Sequence, residues 1–381
     1  MGAALGLSGG CSLRSEMTDP LRIFALVTDA FGSRGGIAQY NRHLLSSLAS
    51  CDLIGEVVVL PRGAETSFGE LPRRLRQLAP ARGRLTYSLV ALREARAHRP
   101  VHVVFCGHLF MAPLAAVIAK LLRAPLWIQV HGIEAWQKMS NLHRRSLEMA
   151  ALITSVSRPT RRRLLAWSGV DPNRVKVLAN TFDPVFTPGP KPAYLLDRYA
   201  AHGKKILMTI SRLAASERYK GHDRVIRVLP RVLSKNPETI YFVVGDGDDR
   251  PRLEALATKY GVRERVQFAG SVLAEELPDY LRLADLLVMP STGEGFGIVF
   301  LEAMAAGVDV IGGNRDGSLD PLADGVLGRI VDPENESELA VAICAALGGP
   351  APRTDRAKRF ALPAFNAHLE ALIASSFANA T

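Results

Sequence analysis

Apolar residues come along this chain in short runs, separated by stretches compatible with helix. The first run, Leu21 to Val27, is followed by others at Glu56–Leu60, Val101–Phe105, Leu126–Val130 and Leu152–Val156. Short apolar runs alternating with helical segments predict a parallel sheet covered on both faces. Residues 183–192, Asp-Pro-Val-Phe-Thr-Pro-Gly-Pro-Lys-Pro, hold four prolines and a glycine and interrupt the alternation. That composition marks a linker. A second alternation follows, with strands expected at Ile206–Ile210, Ile240–Val244, Val266–Phe268, Leu286–Met289 and Val308–Ile311. The pattern predicts an α/β protein with two Rossmann-like, doubly wound parallel-sheet domains facing across a cleft. Residues 21–185 are expected to form the first domain, 186–203 the linker and 204–360 the second domain. Residues 361–381 are expected to form a final helix able to cross back to the first domain. Residues 1–20 read as a disordered tail or an overlong start, with Met17 as the alternative first residue.

Composition narrows this picture. At 381 residues the chain exceeds one comfortable core, and its 48% hydrophobic and 22% charged content is that of an ordinary globular protein. Cys11, Cys51, Cys106 and Cys344 are scattered and form no CxxC pair. Reduced thiols in a cytoplasmic protein are expected, not a disulfide framework or a zinc site. No run reaches the ~18 apolar residues of a transmembrane helix, and the first sixteen residues lack the features of a signal peptide.

The charge is unevenly placed. Residues 1–190 carry 24 Lys+Arg against 12 Asp+Glu, and residues 191–381 carry 23 against 25, so the first half generates the whole net charge of +10. Leu71, Leu75 and Leu78 fall at helical spacing with Arg73, Arg74 and Arg76 between them. This predicts a basic amphipathic helix, either resting on anionic lipid or simply solvated on one face. No nucleic-acid-binding module is present, so nucleic acid is not an expected partner.

The chemistry concentrates where strands end. Leu286–Met289 leads into Ser-Thr-Gly-Glu-Gly-Phe-Gly, residues 291–297, and then into helix-favouring Ile298–Gly307. Gly293, Gly295 and Gly297 at alternate positions predict a tight turn that backbone can bring close to a ligand, ahead of a helix N-terminus suited to phosphate. Glu294 lies in the turn, and Glu302 lies eight positions later in the helix. Gly35-Gly36 follows the first strand without the G-x-G-x-x-G fingerprint of a nicotinamide enzyme. His131-Gly132-Ile133-Glu134 follows Leu126–Val130, and Ser211-Arg212 with Glu217-Arg218-Tyr219-Lys220-Gly221 follows Ile206–Ile210. Ligands bind at such carboxyl ends.

The Glu294-to-Glu302 spacing resembles the E-x7-E signature of retaining GT-B glycosyltransferases, most closely glycosyltransferase family 4. Gly35-Gly36 with Tyr40 looks like that family's N-terminal loop, His131-Gly132 with Glu134 like its His-Gly acidic turn, and Arg212…Lys220-Gly221 like its phosphate-binding cations. Val177…Asn180 with Phe186 and Pro188 is similar to its interdomain crossing, and Gly325…Gly328 with Val331-Asp332-Pro333 to its late turn. The matches stay in order over residues 22–345. Two departures stand out. Asp316-Gly317-Ser318-Leu319-Asp320 replaces the usual Gly-Gly-x-Pro-Glu, and Arg212 and Lys220 are spaced more widely than is common.

The resemblance implies the GT-B fold and a nucleotide-diphosphate sugar donor, UDP- or GDP-linked, held mainly by the second domain. Arg212 and Lys220 would neutralise the diphosphate, Glu302 would hold the ribose hydroxyls and Glu294 would orient the sugar. Backbone around Gly295, Phe296, Gly297 and Ile298 would complete those contacts, with Val272 near the base. Gly35 and Gly36 would approach the diphosphate from the first domain, and His131 would contact the sugar near the reacting carbon. No metal and no cofactor are implied. The expected reaction is retaining hexosyl transfer to a glycan or lipid-linked acceptor in envelope or exopolysaccharide synthesis, by a cytoplasmic protein that can touch the membrane's inner face. The alternatives are a sugar-nucleotide epimerase or soluble-acceptor transferase of the same fold, and a catalytically silent assembly subunit.

Overall fold

The computed structural model describes residues 19–33, 35–63, 69–349 and 355–377. Residues 1–18, most of the expected tail, lie outside the described residues.

Among the described residues, thirteen strands form two sheets. The first holds β1 (Leu21–Val27), β2 (Ile54–Pro61), β3 (Leu75–Gln77), β4 (Val103–Cys106), β5 (Leu126–Val130), β6 (Leu152–Ser155) and β7 (Val175–Val177). The second holds β8 (Lys205–Ile210), β9 (Thr239–Val244), β10 (Val266–Gly270), β11 (Leu286–Met289), β12 (Asp309–Gly313) and β13 (Arg329–Val331). Their orders are β3-β2-β1-β4-β5-β6-β7 and β10-β9-β8-β11-β12-β13. Every strand pairing is parallel, with Ile23 opposite both Val57 and Val103, and Leu286 opposite both Leu207 and Asp309. Parallel strands need crossover helices, which cover both faces of each sheet.

Side-chain alternation divides the core. Ile23, Ala25 and Val27 of β1 join a cluster that also contains Met208, Phe300 and Phe365, while Phe24 and Leu26 point into the other face of the first domain. The final helix, Leu362–Phe377, buries Phe365, Leu369, Ile373 and Phe377 in the shared cluster. Phe377 reaches Trp127 of β5, with ring centroids 6.1 Å apart. The last helix is therefore packed against the first domain.

Strand order reverses beside β1 in one sheet and beside β8 in the other. Loops leaving neighbouring strands diverge at such switch points and open a crevice at the carboxyl ends. In the second sheet that crevice lies between β8 and β11, where Arg212–Gly221 and Ser291–Gly297 emerge.

Two local expectations are corrected. The basic stretch around Leu71, Leu75 and Leu78 is not a helix. Residues 75–77 form β3, the outer strand paired to Val57–Val59, and Arg74 donates to the carbonyls of Cys51 and Ile54. Leu75 faces inward while Arg76 faces out, so alternation prevails over the helical spacing of three leucines. The segment 186–203 is not all connector. It contains the helix Ala193–Arg198, flanked by a Lys191–Asp285 ion pair and a Tyr199–Tyr280 hydroxyl contact to the second domain.

Candidate active site in the interdomain cleft

The site is built from loops that leave β8, β11 and β12 in the second domain and β1 and β5 in the first. After β8 the chain turns through Arg212 to Tyr219, Lys220 and Gly221. Thr292 N–H donates to the Tyr219 carbonyl at 3.0 Å, joining this loop to the glycine turn after β11. Gly293 lies against the Tyr219 ring so closely that an added Cβ would sit 2.5 Å from Cγ. Only glycine fits there.

Lys220 Nζ is hydrogen-bonded to Glu294 Oε1, with both side chains largely buried at 16% and 11% exposure. Burial favours the neutral amine, but the charge and hydrogen bond of Glu294, together with Tyr219 and Glu217, outweigh it and leave the Lys220 pKa above its ordinary value. The pair keeps a charged lysine in the cleft. Arg212 behaves differently. Its side chain is 73% exposed and is paired with Glu217.

Asp316, fully buried after β12, holds the Glu294 turn in place. Its carboxylate accepts from the Ser291 hydroxyl and the Glu294 N–H at 2.7 Å each, and from Ser318 N–H at 3.0 Å. Gly317 N–H closes the ring by donating to the Glu294 carbonyl at 2.8 Å. The departure Asp-Gly-Ser is thus the support of the glycine turn.

That turn ends at Gly297, whose φ of 89° precedes the helix Ile298–Ala305. No side chain caps this N-terminus, and none caps the helix Gly36–Ser50, which follows Gly35 at φ 108°. Asn335 and Ser157 cap helices elsewhere with side-chain oxygens. The uncapped ends keep N–H groups free for an anion. A Cβ added at Gly35 or Gly36 would meet no atom within 4 Å, so the space over that loop is open.

The two domains touch at Gly295. A Cβ there would lie 1.8 Å from the His131 carbonyl oxygen, and one on Gly132 would lie 2.8 Å from Gly295 Cα. His131 Nε2 donates to the Gly107 carbonyl at 2.8 Å, which leaves Nδ1 as an acceptor. Burial lowers the His131 pKa, against the opposing pull of Glu134. The imidazole is neutral near pH 7. Glu134 accepts from the His131 N–H and so fastens its own turn. Tyr40 stands edge-on to His131, with centroids 5.1 Å apart, and donates to Gln129 at 2.8 Å.

Further contacts cross the cleft. Gln39 Nε2 donates to Glu302 Oε1 at 2.6 Å, and Glu302 is 4% exposed. Arg158 donates to Asp320 at 2.7 Å from its backbone and 2.8 Å from Nε, and to Asp324 at 2.9 and 3.0 Å. Arg163 covers the Trp136 ring at 3.7 Å and donates to the Arg315 carbonyl at 2.8 Å.

The structure thus groups Lys220, Glu294, Gly295, Phe296, Gly297 and Ile298, with Glu302 further along the helix and His131 across the cleft. Phe296 and Ile298 are buried, and Val272 is part-buried after β10. Asp246, Asp248 and Asp249 are local fasteners, to Gly247 N–H, Ala215 N–H and the Arg218 and Arg252 guanidinium groups respectively. Among the described residues, no group of three or more His, Cys, Asp or Glu is placed to hold a metal ion. Sequence reasoning missed Gln39, Asp316, Arg158 and Asp320 as contributors. Only Asp316-Gly-Ser carried a signal, that of a side chain turning back on its own loop.

Comparison with known proteins places this geometry in a family. Residues 198–361 match the family described as Glycosyl transferases group 1, and residues 35–181 match the Glycosyl transferase 4-like domain. The chain belongs to the group 1 glycosyl transferases. One relative of this glycosyl transferase is a GDP-mannose-dependent alpha-(1-6)-phosphatidylinositol monomannoside mannosyltransferase of Mycolicibacterium smegmatis, 32% identical over 58% of the chain and 60% of that protein. The Mycobacterium tuberculosis protein of the same description is 28% identical over 86% of the chain and 89% of its own length. Among solved structures, Anabaena HepE with UDP-glucose superposes with a TM-score of 0.73 at 21% identity, covering 93% of this chain and all of that one. Sucrose-phosphate synthase from Thermosynechococcus elongatus gives 0.75 at 22% identity, covering 94% and 99%. These likenesses show the GT-B fold.

Glu302 supplies a pH-dependent prediction for the glycosyl transferase. Burial pushes its carboxyl up to about 7, while the Gln39 bond pulls it down and the charge of Asp183 pushes it up again. A folded-state pKa above the ordinary value contributes stability below about pH 4.5 that is lost as pH rises through 7. Glu302→Gln removes the buried charge and can still accept from Gln39. Thermal and urea unfolding should show the variant more stable by about 3 kcal/mol at pH 8, with the gain shrinking towards pH 5. An equal gain at both pH values would contradict the assignment.

Proposed function

We propose that this group 1 glycosyl transferase moves a hexose from a nucleoside-diphosphate donor to a glycan or lipid-linked acceptor, with retention of anomeric configuration, in envelope or exopolysaccharide synthesis. The observation that carries the reading is the buried Lys220–Glu294 pair at the switch point of the second sheet. A lysine kept charged there suits a leaving diphosphate. Glu294, freed from it, would hold a hydroxyl of the sugar. Glu302 would take the ribose diol, and Arg212 would turn from Glu217 to the phosphates. The uncapped N-termini after Gly35 and Gly297 would add backbone donors from both domains.

In this scheme the bond between the anomeric carbon and the diphosphate oxygen breaks as the acceptor oxygen bonds to that carbon on the same face. The acceptor proton passes to the departing phosphate oxygen. Positive side chains and N–H dipoles stabilise the charge that develops there, and no metal is assigned. His131, neutral with Nδ1 as acceptor, would receive a sugar hydroxyl. The mannosyltransferase relatives favour GDP-mannose as the donor.

No described helix is long and apolar enough to cross a membrane. Lipid contact would come instead from three neighbouring helices of the first domain. Arg84–Ala97 exposes Leu85 and Leu89, Ala112–Leu122 exposes Val117 and Leu121, and Asn141–Met149 exposes Leu142 and Met149. Exposed cations, Arg93, Lys120 and Arg145 among them, accompany these apolar residues.

Calorimetry and donor hydrolysis with a panel of nucleotide sugars should reveal selective binding and slow turnover, strongest with GDP-mannose. No response to any donor would remove the transferase reading. Lys220→Ala should weaken donor binding by roughly ten- to hundredfold, the loss of one charged hydrogen bond; unchanged affinity would refute its role. Flotation with anionic vesicles should show binding that falls as salt rises. Binding that ignores salt, or none at all, would rule out the basic face.

A further inference from the structure

Gln39 lies on the helix Gly36–Ser50 of the first domain, and Glu302 on the helix Ile298–Ala305 of the second. They are 263 residues apart in sequence, and the amide of one donates to the carboxylate of the other at 2.6 Å. Glu302 is nearly inaccessible in this state. Among the described residues its one side-chain partner is an amide N–H, a donor of the kind a sugar hydroxyl also supplies. A vicinal diol that binds a carboxylate uses both of its oxygens, and the Gln39 amide competes for Oε1.

We propose that Gln39 is an internal stand-in for the donor's ribose, satisfying Glu302 while the cleft is empty and yielding Oε1 when a ribonucleotide enters. The proposal rests on the reading that Glu302 holds the ribose. A buried carboxylate without a partner is costly, so an empty site needs such an occupant. The amide also ties the two domains together across the cleft. A ribonucleotide must break that tie, whereas a nucleotide without the diol can bind and leave it intact. Gln39 therefore sets a penalty that falls on ribose alone, and it is a positioning residue, not a catalytic one.

The test compares GDP and UDP with their 2′,3′-dideoxy counterparts by titration calorimetry on the wild type, Gln39→Ala and Gln39→Leu. Gln39→Leu keeps most of the side-chain bulk and removes the amide, and thermal unfolding checks that both variants fold. Both variants should bind the ribonucleotide roughly two- to tenfold tighter, the fold-change of one net hydrogen bond. The dideoxy affinities should stay where they were. If the ribo-to-dideoxy ratio is unchanged in both variants, or falls, the stand-in role is overturned. If neither the wild type nor either variant prefers the ribo form, or no ribonucleotide binds at all, the ribose reading of Glu302 is what fails.

Discussion

A lysine buried inside a cleft stays charged only with a counter-charge beside it. Lys220 does so through Glu294, and much of the second domain's loop structure serves that contact. Asp316 clamps the backbone of Glu294 and the hydroxyl of Ser291, so the glycine turn presents its carboxylate in one place. Tyr219 packs on Gly293 and aligns the neighbouring loop. Each partner of a buried ion pair is costly alone, so each holds the other in place.

The second constraint is the near contact of two backbones. Gly295 and His131-Gly132 meet at distances no side chain allows, so the domains close until their loops touch. Around this point the cross-cleft bonds form a ring. Gln39 holds Glu302 on one side, Arg158 holds Asp320 and Asp324 on another, and the final helix returns to pack beside Trp127. The Lys220–Glu294 pair is largely buried, and burial strengthens the charge interaction within it. Closure places the uncapped helix N-termini of both domains on the same cleft.

Much of this was legible in the sequence, for a physical reason. Central strands of a parallel sheet are buried on both faces, so β1, β5, β8 and β11 read as mostly apolar runs. The glycine turn with Glu294 was legible because strand, turn and helix follow within a few residues. The short strands β3, β7 and β13 span three residues each and have no period to detect. At β3, three leucines at helical spacing pointed the wrong way. The Gln39–Glu302 and Arg158–Asp320 contacts were not legible, because each joins residues more than 160 positions apart and neither end carries a local signature. Asp316 was seen only as a departure from a pattern. Its work depends on a fold that brings β12 beside β11.

A crystal structure with GDP or a nucleotide sugar bound tests the site most directly. The diphosphate should lie within hydrogen-bonding distance of Lys220 Nζ, and the ribose hydroxyls on Glu302 with the Gln39 amide moved away. A nucleotide lodged elsewhere, with Lys220 still closed on Glu294 and Gln39 still on Glu302, would contradict both assignments.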